Sequence, residues 1–467
     1  MNDFRMLING KLVKGASSLV VINPATGRTL TAAPRADRDQ LEQAVAAANT
    51  VIPFWSGQPL RQRAAMLVKL AEALEADQEE FARLLTEEQG KPLSQALWEI
   101  DYSIRMLHYF ATRDLAPAVL KEDATEKVVR LHKPLGVVAA ITPWNFPLLL
   151  LVSKVAPALL AGNTVVAKPA PTTPLTTLKF GELCARILPA GVINIIVDQN
   201  DLGTALTNHA DVAKIAFTGS TATGKKVMAS AAGTLKRITL ELGGNDAAIV
   251  LGDIDPKEVV PKIFFAAMVN AGQACIAIKR LYVHESIYDV VCDELGRLAR
   301  GTVVGDGLVQ GTEMGPIQND AQFEKVKEFL EDARQNGTIV AGGGILEREG
   351  YFVRPTIVRD ISDNAKLVRE EQFGPVLPVL SYSDIDEVIA RANDTEFGLG
   401  GSVWSSDRDQ AFGLASRINA GTVWVNKHFD LAPDTQYSGA KQSGIGSELG
   451  QEGLEEYTQA TIINMAK

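Results

Sequence analysis

Between residues 137 and 218 short apolar runs alternate with helical ones, a rhythm that few folds accommodate. Residues 137–141, 164–168, 192–197 and 214–218 read as strands, and residues 154–160 and 177–187 as helices. A strand that is apolar on both faces must be covered on both faces, which in a chain of alternating strands and helices means a parallel sheet between helical layers. The alternation begins again at residues 247–251, followed by helical runs at 256–270, 286–300 and 320–336, so a second α/β domain starts near Asp246. The expected fold class is α/β, with doubly wound sheets of dinucleotide-binding type.

The flanks are different. Residues 7–35 read as short strands that turn at Asn23-Pro24-Ala25-Thr26-Gly27. Two amphipathic helices follow. The first carries Leu67, Leu70, Ala71 and Leu74, continues through Phe81, Leu84 and Leu85, and stops at Gly90 and Pro92. The second carries Leu97, Ile100, Ile104, Leu107 and Ala111, and the charges on both polar faces read as solvated surface. Residues 126–132 alternate around Val128, Val129 and Leu131, as in a hairpin. The last strand-like run, 458–465, has no local partner and must pair elsewhere, with a neighbouring subunit as the candidate.

At 467 residues the chain exceeds one simple core and suits about three domains. Its formal charge of −10 argues against nucleic acid and against an anionic membrane, both of which need a basic face. The apolar stretch 137–160 is broken by Pro143, Asn145, Pro147, Lys154 and Pro157, too often for a membrane span. The stretch from Met1 to Met6 has neither an apolar leader core nor an Arg/Ser-rich pattern. Cys184, Cys275 and Cys292 fit neither a disulfide framework nor a zinc site, and the five histidines show no metal spacing. The expectation is a cytoplasmic protein without metal.

Four stretches carry candidate chemistry. In Asn270-Ala-Gly-Gln-Ala-Cys275-Ile-Ala-Ile-Lys-Arg280, a cysteine follows a small-residue turn at Gly272. It is either a presented nucleophile or an ordinary buried thiol. Phe217-Thr-Gly219-Ser220-Thr-Ala-Thr-Gly224 joins a strand to a helical run, where free N–H groups suit a pyrophosphate; a plain turn is the alternative. Glu241, ahead of Gly243 and Gly244, is a general base or a paired surface acid. Asn145, between Pro143 and Pro147, is an oxyanion donor or a structural turn residue. The glycines of Gly444-Ile-Gly446-Ser-Glu-Leu-Gly450 have one residue too many for a dinucleotide fingerprint and read as a structural turn.

Together with Glu88-Gln-Gly90-Lys91-Pro92, Gly162-Asn-Thr-Val-Val-Ala-Lys168-Pro169, Pro189-Ala-Gly191-Val-Ile-Asn194, Glu370-Glu371-Gln-Phe373-Gly374-Pro375 and Lys441-Gln-Ser443-Gly444, these stretches stand in a meaningful order. From about residue 8 to the end, the chain resembles the aldehyde dehydrogenase superfamily of the NAD(P)-dependent, hydrolytic, non-CoA-acylating type. The resemblance implies an enzyme that oxidises an aldehyde to a carboxylic acid through a thiohemiacetal and a thioester on Cys275. Asn145 and the Cys275 N–H would hold the oxyanion, Glu241 would activate water, and Lys154 would support the centre. For the cofactor, Lys168 would reach the adenine ribose, Ser220 the pyrophosphate, and Glu371 the nicotinamide ribose beside Phe373. The implied cradle also takes in Ile141, Thr142, Pro143, Trp144, Ala170, Pro171, Gly191, Phe217, Gly219, Thr223, Leu242 and Gly243.

Pro171 stands where many NAD-preferring relatives have a glutamate, so the expected cofactor is NAD with NADP tolerated. Asn245-Asp246 replaces a commoner Lys-Ser pair, and Tyr437 stands in for a pocket phenylalanine. By position the substrate would meet Phe146, Leu149, Leu150, Ser153, Ala274, Ile276, Leu431 and Tyr437. This mostly apolar lining favours aliphatic or aromatic aldehydes. A semialdehyde dehydrogenase, a CoA-acylating enzyme and a non-catalytic protein on the same fold are the alternatives. The implied division is a nucleotide domain (1–111 and 135–243), a catalytic domain (244–442) and an oligomerisation element (112–134 and 443–467), in a homodimer or homotetramer.

Overall fold

The computed structural model describes residues 3–467; Met1 and Asn2, part of the N-terminal stretch read above, lie outside the described residues. Eight strands form the first sheet, in the spatial order Lys11–Val13, Met6–Ile8, Ile193–Ile195, Thr164–Lys168, Val137–Ile141, Val212–Thr218, Arg237–Glu241 and Gly444–Ile445. The five strands from Ile193–Ile195 to Arg237–Glu241 are parallel. The first of them in the chain, Val137–Ile141, lies between Thr164–Lys168 and Val212–Thr218, so the strand order reverses there. Loops leave on opposite sides of such a point and open a crevice at the carboxyl ends of the strands.

The second sheet runs Thr338–Ala341, Thr356–Arg359, Val376–Tyr382, Ile278–His284, Asp246–Val250, Gly400–Trp404 and Thr422–Val425. It is parallel except at the Thr338–Ala341 edge. The chain passes from Glu241, the last residue of a strand in the first sheet, to Asp246, the first residue of a strand in the second, through only four residues. That short link sets the carboxyl edge of one sheet against the amino edge of the other. Cys275, three residues before Ile278–His284, therefore faces Glu241 across the junction.

Several expectations need correction. Helix Arg38–Ser56 was not foreseen; its buried stripe is Leu41, Ala44, Val45 and Ala48, and Asp37 caps it by accepting the Gln40 N–H. Alanine buries little area and leaves a weak periodic signal. The expected first helix is two, Leu60–Ala76 and Gln78–Gln89, the second ending at Gly90 in left-handed conformation. Not all charges on these helices are solvated. Glu88 and Glu99 are buried, Glu88 accepting the Leu175 and Thr176 N–H groups at the start of helix Leu175–Ile187. The terminal strand, Thr458–Ala466, pairs along its length with Glu126–Pro134 of its own chain, and Ala118–Glu122 completes a three-stranded sheet. Among the described residues, no helix is long and apolar enough to cross a membrane.

Candidate active site

Three consecutive residues before the cysteine, Asn270, Ala271 and Gly272, adopt positive φ of 52°, 55° and 70°. At Gly272 a Cβ would lie 2.4 Å from the Gly374 carbonyl oxygen, so glycine is required for both conformation and space. This tight coil lifts Cys275 out of the helical path and leaves it half-buried, while Cys184 and Cys292 are fully buried. The Cys275 N–H finds no acceptor among the described residues. Beneath it, Lys279 Nζ donates to the Ala274 and Cys275 carbonyl oxygens at 2.9 and 2.5 Å.

Asn145 is fixed from both sides. Its carbonyl oxygen accepts Lys91 Nζ at 2.8 Å and Asn270 Nδ2 at 3.0 Å. Its own Nδ2 donates to the Gln273 oxygen at 3.1 Å. A side-chain amide has two N–H donors, so one remains for a ligand. Glu99 holds the same loop, pairing with Lys91 at 2.5 Å and accepting the Leu148 N–H at 3.1 Å.

Glu241 and Cys275 line the same two cavities, and each perturbs the other's ionisation. Burial, followed by the nearby Glu448 carboxylate, pushes the Glu241 carboxyl up to about 8, and its Oε2 has no partner. Burial and then Glu241 push the Cys275 thiol well above the ordinary cysteine value, while Lys279 draws it down. Both groups thus favour their neutral forms, and the carboxylate of Glu241 is the base available to the thiol. Tyr437 donates its hydroxyl to Glu241 Oε1 at 3.4 Å. Lys154 Nζ donates to Thr218 Oγ1 at 2.7 Å and to Glu448 Oε1 at 2.6 Å.

Two cavities meet at this pair. Phe146, Leu149, Leu150, Ser153, Ala274, Ile276, Leu431 and Tyr437, the eight residues expected around a substrate, all line one of them. Trp98, Tyr102, Met106, Phe429, Glu448 and Leu449 line it too and were missed. Trp98, Tyr102 and Met106 stand four residues apart on helix Leu93–Ala111, a second apolar stripe beside its core stripe. Glu448 corrects the reading of residues 444–450 as merely a structural turn: Gly444–Ile445 pairs with Leu240 and Glu241, and the turn beyond delivers a carboxylate to the cavity.

The second cavity is more polar. Of the expected cofactor residues, Pro143, Trp144, Gly219, Ser220, Leu242, Gly243, Glu371 and Phe373 line it, joined by Asn145, Thr218, Gln322 and Lys325. Its glycines make room. A Cβ on Gly243 would fall 2.5 Å from Glu371 Oε2, and one on Gly219 would fall 2.6 Å from the Phe217 ring. Glu371 Oε1 accepts the Gly244 N–H at 3.0 Å, and Trp144 meets Phe373 edge to face at 5.4 Å. Ser220 caps helix Thr221–Ala232 by accepting the Thr223 N–H, so that helix N-terminus opens on the crevice.

The other expected cofactor residues lie elsewhere. Ile141 and Thr142 are buried at the end of the central strand, with Thr142 Oγ1 unpartnered. Ala170 and Pro171 follow Lys168 in a half-buried turn. Gly191 is not brought to the site. It precedes Ile193–Ile195 at the amino edge of the sheet, and its positive φ and its contact with the Ala47 carbonyl explain the glycine. His428, unremarked in sequence, binds the Ile276 carbonyl oxygen at 2.9 Å, and burial lowers it to about 3, so it braces the loop as a neutral ring.

The aldehyde dehydrogenase family profile matches residues 12–463. The chain belongs to the aldehyde dehydrogenase family. It is 42% identical to the phenylacetaldehyde dehydrogenase of Pseudomonas fluorescens, over 99% of this chain and 96% of that one. It is 37% identical to the NADP(+) succinate-semialdehyde dehydrogenase of Escherichia coli strain K12, over 98% and 97% of the two chains. An aldehyde dehydrogenase from Bacillus cereus in complex with NAD+ superimposes with a TM-score of 0.97 at 36% identity, covering 100% of this chain and 97% of that one. The enzyme thus shares both its sheets and their junction with solved members of its family.

Proposed function

We propose that the enzyme oxidises uncharged aldehydes bearing an apolar aliphatic or aromatic group to carboxylic acids, with NAD(P)+ as hydride acceptor. The observation that carries this reading is the meeting of an apolar and a polar cavity at one cysteine and one glutamate. Water-excluded apolar walls on one side and glycine-lined space with a helix N-terminus on the other suit an aldehyde and a dinucleotide respectively.

Cys275 attacks the aldehyde carbonyl as its proton passes to Glu241, and the developing oxyanion takes hydrogen bonds from the free Asn145 N–H and the Cys275 N–H. A bound nicotinamide would supply the hydride acceptor, and Cys275 would then carry the acyl group as a thioester. Ser220 and its helix N-terminus would hold the pyrophosphate, and Glu371, set against Gly243 and Gly244, the nicotinamide ribose. The proton held by Glu241 then passes to solvent, and Glu241, again a carboxylate, takes a proton from the water that cleaves the thioester and frees the Cys275 thiolate. Lys154 neutralises Glu448 beside it. A base in this position supports hydrolysis over transfer to CoA.

The substrate preference follows from the walls. No arginine or lysine lines the apolar cavity, and its charged side chains, Glu241 and Glu448, are acids. A substrate carboxylate would enter without a partner, at a cost of several kcal/mol. The 42% identity to a phenylacetaldehyde dehydrogenase supports the same preference. We assign the nucleotide role to residues 1–111 with 135–243 and the catalytic role to 244–442. The three-stranded sheet forms the contact of a homodimer or homotetramer, supported by exposed Val119, Leu120, Ile462, Ile463 and Met465. The free thiols support a cytoplasmic setting.

Initial rates of NAD(P)H formation across an aldehyde panel test the reading. Phenylacetaldehyde or a medium-chain aldehyde should exceed succinic semialdehyde in kcat/KM, and Cys275→Ala should abolish turnover. Turnover by Cys275→Ala, or a preference for the semialdehyde, would overturn it.

A further inference from the structure

One buried ion pair at the carboxyl edge of the first sheet has no part in the chemistry above. Lys168 Nζ lies 2.6 Å from Asp198 Oδ1, and Asp198 Oδ2 accepts the Leu202 N–H at 2.9 Å. Lys168 ends its strand, and Asp198 follows Ile193–Ile195, the strand hydrogen-bonded to it. The side chains retain 5% and 0% of their exposure, so both are buried and only the lysine keeps any contact with solvent. Beside them begins helix Gly203–Asn208, where a Cβ on Gly203 would stand 3.9 Å from Lys168 Cε. That helix packs on helix Thr221–Ala232, the one Ser220 caps, so the pair and the proposed pyrophosphate cradle flank the same two helices.

In doubly wound sheets, an acid near the end of the strand next to the first one accepts the ribose 2′-hydroxyl, and a cation there accommodates a 2′-phosphate. Here that strand ends in a lysine, and the turn after it offers Pro171, which has no side-chain acceptor. A lysine alone would draw a 2′-phosphate, which carries nearly two negative charges. This lysine is not alone. Its charge is cancelled at 2.6 Å by a carboxylate shielded from water, so it retains N–H donors for a neutral hydroxyl without a net positive field for a phosphate. The nearby Arg35 is also paired, with Asp201 at 2.8 Å.

We propose that Asp198 sets the cofactor preference of this enzyme toward NAD by neutralising Lys168 at the adenine ribose. A carboxylate that the turn after Thr164–Lys168 lacks at Pro171 is thus supplied from beyond the end of the neighbouring strand, Ile193–Ile195. This proposal rests on the assignment of Lys168 to the cofactor site.

Equilibrium binding to the full-length protein without aldehyde, followed by quenching of tryptophan fluorescence or by calorimetry, tests it with NAD+, NADP+, AMP and adenosine 2′,5′-bisphosphate. The unaltered enzyme should bind NAD+ about tenfold or more tighter than NADP+. Asp198→Asn keeps the shape and an acceptor for Leu202. It should strengthen binding of the two 2′-phosphorylated ligands by about tenfold, change NAD+ binding less than about threefold, and make NADP+ binding fall more steeply with salt. Equal affinity of the unaltered enzyme for the two dinucleotides would overturn the proposal, whether or not the variant folds. An unchanged NAD+/NADP+ ratio in Asp198→Asn would overturn it as well. Lys168→Met separates the underlying assignment: undiminished NAD+ and AMP binding by that variant would remove Lys168 from the ribose and take the proposal with it. Weakened NAD+ binding in Lys168→Met with an unchanged ratio in Asp198→Asn would reject Asp198 alone.

Discussion

The Tyr437 hydroxyl reaches Glu241 Oε1 at 3.4 Å, a long hydrogen bond to the carboxyl that raises the Cys275 thiol. A phenol donating to a carboxylate favours its charged form, which is the form that activates water. Removing the donor in Tyr437→Phe should move the pH midpoint of kcat upward. At pH 7 it should lower kcat by roughly twofold to tenfold, the range of one modest hydrogen bond. KM for an apolar aldehyde should hold, because the ring remains in the cavity wall. A pH–rate series on both proteins reads the shift, and an unmoved midpoint would show the hydroxyl to be idle.

Glu241 itself links function to stability. Its carboxyl is pushed up to about 8 in the folded protein, against an ordinary value of 4.5. Between those values the native state holds a proton that the unfolded chain has released, so stability falls as pH rises through this window. Glu241→Gln removes that loss. Its Tm should exceed that of the unaltered enzyme by more at pH 8 than at pH 5, by calorimetry in matched buffers. The same variant should give a slowed burst of one NAD(P)H per site and then stall, since the thiol and then the thioester-cleaving water both lose their base.

The strand–helix alternation was legible because strands buried on both faces are apolar throughout, and Val137–Ile141 and Thr164–Lys168 are buried at every position. The reactive side chains were legible through the glycines and prolines that position them, as at Gly272 and Pro147. What escaped reading depends on partners distant in sequence. Helix Arg38–Ser56 hides behind small alanines, and Glu448 behind a glycine-rich turn. The Lys168–Asp198 pair becomes visible only once two strands lie side by side. Gly191 illustrates the opposite error, a glycine in a family stretch whose reason is backbone packing at the wrong end of the sheet.

The unforeseen aromatic stripe bears on specificity. Trp98 is 39% exposed and packs within 6.3 Å of both Phe146 and Phe429, so it stands at the mouth of the apolar cavity. Trp98→Ala should raise KM for phenylacetaldehyde by about tenfold, consistent with losing about 1–1.5 kcal/mol of aromatic contact. The KM for acetaldehyde, too short to reach it, should barely change. Equal effects on the two substrates would place Trp98 outside the binding path.

Lys279 offers a separate control on the thiol. Its ammonium is buried, donates to the Cys275 carbonyl oxygen at 2.5 Å and stands 3.6 Å from Glu371 Oε1. Those contacts brace the loop, but the charge also opposes the burial and the Glu241 field that hold the Cys275 thiol up. Lys279→Met keeps the length and loses the charge. The pH midpoint for alkylation of Cys275 by iodoacetamide should rise, and because each unit removes tenfold of the thiolate below the midpoint, alkylation at pH 7 should slow by about that factor per unit. Lys279→Arg should restore the midpoint if the charge is what matters, even where its larger head loosens the loop. A methionine variant that reacts more slowly at every pH with the same midpoint would leave Lys279 as a brace alone.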